Sequence, residues 1–394
     1  MELELTETQT MIRGAIRDYL VREIEPLVPQ LEEGTLLPFE PLRKMAATLG
    51  LLGPEDELAK LMKEAPAEEM LPFFVPRILS VELSRVCAGV ALVHGASIGL
   101  CGGDIRSKGT PEQKARWGGP IARLEKIGCW ALTEPQAGSA AIRDMKSTAV
   151  RDGDHYVLNG TKTFISNAPY ADIFVVYAKL SENGAESARA FVLERGDPGL
   201  ATGKPFKKMG FRSSPTGEVF LSDCRVPADR LLGGPSAGKR PTGSTVKERL
   251  SRERVGLVAI SYGIAERAFD IALDYARTRV QGGQAIGNYQ LVQRRLTRMY
   301  MALANARSFV FGDIRAKRKL EQSAVDASVG KLFVAEASTF IAQEAMHILA
   351  GNGYMEEYVI ERLYRDAKLI ELGGGTTEIQ ELTAGRWLME HYGR

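Results

Sequence analysis

The chain has 394 residues, 44% hydrophobic and 25% charged. That is the mixture of a folded globular protein, with length for two or three domains, and it excludes a disordered or collagen-like chain. Lys and Arg number 51 against 49 Asp and Glu, a formal charge of +2, which argues against a general nucleic-acid or anionic-membrane binder.

Cys87, Cys101, Cys129 and Cys224 are scattered and form no CxxC. A disulfide or zinc framework is not expected, and a reducing cytoplasm fits. His94, His155, His347 and His391 are too dispersed to suggest a metal site. The opening Met1 to Leu5 is acidic where a signal peptide would be basic. The longest apolar stretches, such as Gly256 to Ala265, run about ten residues, short of a bilayer span. The reading is a soluble cytoplasmic protein.

Residues 1–125 read as a helical domain. An amphipathic segment opens at Thr8 to Ile12, and Thr110-Pro111-Glu112-Gln113 is a helix start with Pro in its first turn. Pro54 to Pro76, acidic and proline-punctuated, reads as a loop with short helical pieces. Residues 126–235 read as a central β domain. Asp152-Gly153 and Asn159-Gly160 are turn signals between alternating runs, each expected to close a hairpin. Asp172 to Tyr177, Ala190 to Leu193 and Glu218 to Leu221 read as further strands. Residues 234–246, rich in Gly, Ser and Pro, read as a flexible connector. All 18 prolines lie at or before Pro241, so residues 242–394, nearly all of the C-terminal unit 236–394, are free to form long helices. Stripes at three- and four-residue steps run through Leu257 to Tyr275, 289–318, 324–349 and 378–391, predicting an antiparallel bundle.

Two stretches carry candidate chemistry. Trp130-Ala131-Leu132-Thr133-Glu134-Pro135-Gln136-Ala137-Gly138-Ser139 opens the β domain and leads to Phe164-Ile165-Ser166-Asn167. Ala350-Gly351-Asn352-Gly353-Tyr354, then Arg365-Asp366-Ala367-Lys368, leads to Gly373-Gly374-Gly375-Thr376-Thr377-Glu378-Ile379-Gln380. Glycines admit close backbone approach and helix N-termini offer free N–H groups to phosphate. Thr377 and Gln380 have capping-box spacing. Taken alone, the glycine run reads as a loop capping a helix.

In this order and spacing, along nearly the whole chain, the motifs resemble the acyl-CoA dehydrogenase family. The resemblance implies a mainly α fold with a β-barrel-like middle domain and a C-terminal four-helix bundle. It implies FAD as cofactor, an acyl-CoA substrate, an electron-transfer flavoprotein as partner and a homotetramer or homodimer. Trp130, Leu132, Thr133, Gly138, Ser139, Phe164 and Ser166 would line the flavin, with the Ser166 hydroxyl near N5. Arg279 and Gln290 match the family's Arg-x-Gln-Phe-Gly…Gln pattern, the arginine reaching the FAD diphosphate across a subunit boundary. His347, Gly351, Thr376 and Glu378 complete the cofactor set. Ser139, Ser251, Arg254, Gly373 and Gly375 would contact substrate.

Many members carry their catalytic base, a glutamate, where this chain has Gly374. Members resembling isovaleryl-CoA and long-chain acyl-CoA dehydrogenases instead keep a glutamate just before an arginine at the start of the long bundle helix. That pair here is Glu253-Arg254. The resemblance therefore implies Glu253 as α-proton base and the Gly374 N–H as donor to the thioester carbonyl. By residue type alone, Arg252-Glu253-Arg254 is also a charge cluster at a helix start.

Gly138-Ser139-Ala140 replaces the family's Gly-Ser-Asp, and Gly282 replaces the phenylalanine of its Arg-x-Gln-Phe-Gly. The first change is expected to alter a structural hydrogen bond, and the second to loosen FAD. The Ser-Ala-Ala run also resembles the sulfinopropionyl-CoA desulfinases, which eliminate sulfinate without net oxidation and lack a glutamate at the Glu253 position. A third alternative is an inactive flavin-bearing binding protein, which would be expected to show a basic C-terminal face.

Overall fold

The computed structural model describes residues 5–51, 56–182, 185–234, 242–315 and 324–392. Eight helices come first: α1 (Glu7–Tyr19), α2 (Val28–Glu33), α3 (Phe39–Thr48), α4 (Glu57–Glu64), α5 (Leu71–His94), α6 (Gly102–Lys108), α7 (Pro111–Gln113) and α8 (Gly119–Ala122). Seven strands follow: β1 (Gly128–Ala131), β2 (Thr148–Asp152), β3 (His155–Ser166), β4 (Ile173–Glu182), β5 (Ala185–Glu194), β6 (Leu200–Thr202) and β7 (Thr216–Pro227). The last third holds α9 (Thr242–Thr278), the short hairpin β8 (Val280–Gln281) and β9 (Gln284–Ala285), α10 (Gln290–Arg315), α11 (Ala324–Leu349), α12 (Ile360–Leu372) and α13 (Thr377–His391).

The expected order of helices, sheet and helices is present, and the 3.6-residue stripes match α9, α10, α11 and α13. The Thr110 expectation also holds: its hydroxyl accepts from the Gln113 N–H while the Gln113 amide oxygen accepts from the Thr110 N–H. Four local expectations need correction. The connector gives way to helix at Thr242, eight residues before Leu250, while 235–241 lie outside the described residues. Pro72 and Pro76 lie within α5, Pro72 in its first turn, where a missing N–H costs nothing. Asn159-Gly160 closes no hairpin. β3 runs through it, with Gly160 at φ 145 in a register shift against β7. A Cβ there would lie 2.3 Å from Ser147 Oγ, so this glycine serves a bulge and a close approach. Finally, the Thr377–Gln380 capping box does not form: Thr376 is the N-cap and makes no side-chain cap bond.

The strand order is β1-β4-β2-β3-β7-β6, with β5 on the other side of β4. β4 explains its own unbroken apolar run. Phe174, Val176 and Ala178 join one buried cluster, and Ile173, Val175 and Tyr177 join another on the opposite face. A strand covered on both faces has no reason to alternate.

The helical core packs α9 against α5, α10, α11 and α12. α5 is longer and more apolar than the ten-residue stretches anticipated. With its flanks it could cross a membrane by length and composition, but most of it is buried in this core. Its middle carries Glu82, 1% exposed, which accepts from Arg13 at 2.7 Å and Arg17 at 2.8 Å. Arg85, also in α5, pairs with Glu266 of α9 at 2.7 Å.

Candidate active site

The first motif is held by buried charge. Glu134 accepts from the Lys146 N–H at 2.6 Å, the Ser147 N–H at 2.9 Å, the Ser147 hydroxyl at 2.6 Å and Lys162 Nζ at 2.8 Å. Burial alone would raise this carboxyl, but the bonds from Lys162 and Ser147 win and hold it below its ordinary value. Lys162 also donates to the Leu132 carbonyl at 3.2 Å, and the Thr163 N–H to the Thr133 carbonyl at 2.9 Å. Leu132 and Thr133 are thereby clamped to β3. Trp130 is fixed from the other side, its indole N–H donating to Asp104 Oδ2 at 2.8 Å. Tyr177 donates to the same oxygen at 2.6 Å.

Beyond this rigid strip the site residues face open space. Phe164 is 70% exposed and sits at φ 57, where β3 shifts register against β7. A bulky residue in the left-handed region is strained, and such strain persists where surrounding structure imposes it. Gly138 and Ser139 are exposed, and a Cβ on Gly138 would meet nothing within 4 Å. Ser166 is partly buried, and Asn167 beside it donates to the carbonyls of Val93 and Gly128, each at 3.0 Å.

The second motif meets α9. Gly374 and Gly375 adopt φ 65 and 90. A Cβ built on Gly374 would lie 2.3 Å from Leu257 Cδ1 and 4.0 Å from the carboxyl carbon of Glu253. The carboxylate of α9 thus reaches the place where a longer side chain at 374 would begin. Among the described residues no hydrogen bond or ion pair reaches the Glu253 carboxylate. Burial pushes it up to about 7, against the opposing charges of Arg254 and Lys331. Arg254 is buried and its Nη1 donates to Ser328 Oγ on α11 at 3.0 Å. Gln380 of α13 donates to the Gly375 carbonyl at 3.0 Å, which is the role it has in place of the expected cap. Gly373, Gly375, Thr376 and Ser251 are all partly buried around this point. One helical turn before Glu253, Leu250 packs on the cluster that holds Leu132 and Trp130, so the two motifs converge.

Glu378 is exposed in the first turn of α13, beside the second motif. A third group stands apart: Arg279, Gln290, His347 and Gly351 are exposed. Arg279 lies on the same helix axis as Glu253, about 39 Å further on at the helical rise. Its end of α9 meets the turn after α11, where the Asn352 amide donates to the Tyr275 hydroxyl at 2.9 Å. The structure therefore brings Glu253, Gly374 and Arg254 together and keeps Arg279 far from them within one chain.

Motif reading missed Lys331, Ser328, Leu257, Glu134, Lys162 and Asp104. Lys331 had a signal: it shares an α11 face with Ala327, Val334, Ala335 and Ser338, all buried. Glu134 and Lys162 had none, because their pairing spans a turn and two strands.

The site thus pairs a carboxyl raised by burial beside a glycine-rich turn with an exposed aromatic residue on the sheet. The family comparison is specific. The acyl-CoA dehydrogenase N-terminal, middle and C-terminal domains match residues 6–125, 129–224 and 243–389. The chain is 35% identical to the mitochondrial short-chain specific acyl-CoA dehydrogenase of Bos taurus, over 99% of this chain and 92% of that protein. It superposes on butyryl-CoA dehydrogenase from Megasphaera elsdenii with a TM-score of 0.86 at 30% identity, covering 99% and 100% of the two chains. A glutaryl-CoA dehydrogenase from Mycobacterium smegmatis, solved in complex with FADH2, gives 0.84 at 27% identity over 98% and 95%. The chain belongs to the acyl-CoA dehydrogenase family. It is an oxidoreductase acting on acyl-CoA, and its cofactor is FAD. The exposed Phe164 and the open space at Gly138 suit a planar group laid against the sheet.

Proposed function

We propose that this protein converts an acyl-CoA thioester to the trans-2-enoyl-CoA, with Glu253 removing the α-proton. The observation that carries the reading is the 4.0 Å approach of the Glu253 carboxyl carbon to the Cβ position of Gly374. Bound FAD supplies the two-electron acceptor at N5. Glu253, ionised above about pH 7, takes the proton onto a carboxylate oxygen. The Gly374 N–H donates to the thioester oxygen as negative charge gathers there, an interaction that strengthens along the reaction. Arg254, anchored on Ser328, holds a positive charge beside the base. Ser139, Ser251, Gly373 and Gly375 border the same cleft as substrate contacts.

Trp130, Leu132, Thr133, Gly138, Ser139, Phe164 and Ser166 would hold the isoalloxazine. Arg279, Gln290, His347, Gly351, Thr376 and Glu378 complete the FAD site, several of them from a neighbouring subunit. The 39 Å offset supports this, since one chain cannot bring Arg279 to its own Glu253. The assembly is then a homodimer or homotetramer. Units 1–125, 126–235 and 236–394 meet at the site, electrons leave to an electron-transfer flavoprotein, and the protein works in the cytoplasm away from membranes and nucleic acid. The Glu253 carboxylate favours dehydrogenation over sulfinate elimination. The test is an anaerobic titration with a panel of acyl-CoAs, read at the flavin absorption band. Bleaching by wild type and none by Glu253→Gln, both yellow, is the expected result. A yellow wild type that no acyl-CoA bleaches would point to the non-oxidising branch.

A further inference from the structure

Lys331 is a charged group at the centre of the site that no motif supplied. It sits on α11, 1% exposed. Its ammonium donates to the Gly375 carbonyl at 2.7 Å and to the Glu371 carbonyl at 3.2 Å. Those two carbonyls bracket Gly373 and Gly374. Glu371 also lies in the last turn of α12, where backbone carbonyls lack helical partners and the helix dipole favours a cation. An apolar side chain of similar length would fill the space without the cost of burying charge. The lysine therefore does something an apolar residue would not.

We propose that Lys331 is a positioning residue for proton abstraction. It pins both ends of the glycine turn so that the Gly374 N–H keeps its place beside Glu253, and its charge holds the base ionised. The inference rests on the reading of Glu253 as base. The groups around it arrive from four helices. Arg254 comes from α9 and Lys331 from α11. Glu371 comes from α12, where Lys368 Nζ bonds it, and Glu378 comes from α13. Arg254 and Lys331 both oppose the upward push of burial on Glu253. Burial pushes Lys331 down to about 8, helped by Arg254 and opposed by Glu371, Glu253 and Glu378. Between about pH 7 and about pH 8 the base is ionised while the lysine keeps its proton. Above that window the lysine loses its charge and its hold on the two carbonyls weakens.

Three variants of the flavin-loaded enzyme test this: Lys331→Gln keeps a neutral donor, Lys331→Arg keeps charge, and Lys331→Met keeps neither. Flavin reduction is followed by stopped flow across pH, beside FAD retention and the thermal midpoint. In Lys331→Gln the acid limb of the rate profile should move up by about one pH unit, with FAD retained. Lys331→Arg should return the limb toward wild type, and Lys331→Met should move it and also lose about tenfold or more in kcat. The same shift should appear without turnover. An acyl-CoA analogue with sulfur at the β position can lose its α-proton but cannot be oxidised, and its binding perturbs the flavin band. Superimposable limbs in wild type, Lys331→Gln and Lys331→Arg would overturn the proposal, even if Lys331→Met fails to fold. Glu253→Gln separates the two readings. If it bleaches normally, the base assignment falls. If it is inert while the Lys331 variants titrate like wild type, only the role of Lys331 falls.

Discussion

Glu134, in the first motif, and Glu253, on α9 beside the second, are both enclosed carboxylates, and their surroundings are opposite. Glu134 accepts four hydrogen bonds, one from a fully buried lysine, and stays ionised below its ordinary range. Glu253 accepts none among the described residues and is pushed up to about 7. A carboxylate held ionised by four hydrogen bonds and a lysine serves the structure and is a weak base. One left unbonded in a tight cleft is costly to ionise and is correspondingly basic. The contrast separates scaffold from chemistry without reference to the motifs.

The largest expected effect comes from abolishing the basic member. Glu253→Gln should slow flavin reduction by about 1,000-fold or more, within the range of general-base catalysis. Because ionised Glu253 weighs against the fold above pH 7, the variant should melt no lower than wild type at about pH 8. An inert enzyme that also melts well below wild type would make Glu253 a structural residue instead. On the scaffold side, Lys162→Met leaves Glu134 buried without its cation. That should cost about 3–5 kcal/mol in urea unfolding, with activity lost only as the fold is lost. Adding Glu134→Gln should recover part of it, and a fully additive double variant would break the pairing argument.

Glu253 was legible as a candidate base because a paired exchange, Glu253 present and Gly374 in place of glutamate, was visible in two short stretches. Sequence reading found the helix–sheet–helix order because periodicity is local. It could not find Lys331 or Glu134, whose roles depend on carbonyls and strands far away in sequence. It misread Asn159-Gly160 as a turn because the local signal for a hairpin glycine and for a bulge glycine is the same. Only the nearness of Ser147 distinguishes them. Arg279 is assigned to the cofactor by resemblance, and its distance from Glu253 along α9 is what supports the proposal that it serves another chain's site.

The contrast between the carboxylates should also be visible in pH dependence. For Glu253 and Asp366, both pushed to about 7 by burial, the folded state binds more protons than the unfolded one between about pH 4.5 and about pH 7. Stability therefore falls as pH rises through that window. Glu134 acts with the opposite sign: its contribution is present above its unfolded pKa and is lost as pH falls through the folded value. Lys208 and Lys331, lowered to about 8, give stability that rises with pH between about 8 and about 10.5. The rate of flavin reduction should meanwhile climb through about pH 7, losing tenfold per unit below it. Stability and rate thus run in opposite directions near neutrality. Equilibrium unfolding and stopped flow on one sample would show it, and parallel profiles would mean that Glu253 does not govern the limb.

The two motifs' glycines give the finest comparison. Gly374→Ala places a methyl 2.3 Å from Leu257 Cδ1 at φ 65. It should cost about 1–3 kcal/mol from overpacking and backbone strain together. Leu257→Ala in the same background should relieve the contact but not the strain, leaving part of the cost. Gly138→Ala meets nothing within 4 Å and is not at positive φ. Its stability should stay within about 0.5 kcal/mol of wild type. The methyl would still project into the open space beside Ser139. If that space takes the flavin, FAD affinity should drop while the melting profile of the FAD-free protein stays unchanged. Unaltered FAD affinity in Gly138→Ala would move the flavin away from the first motif while leaving the pairing of Glu253 with Gly374 intact.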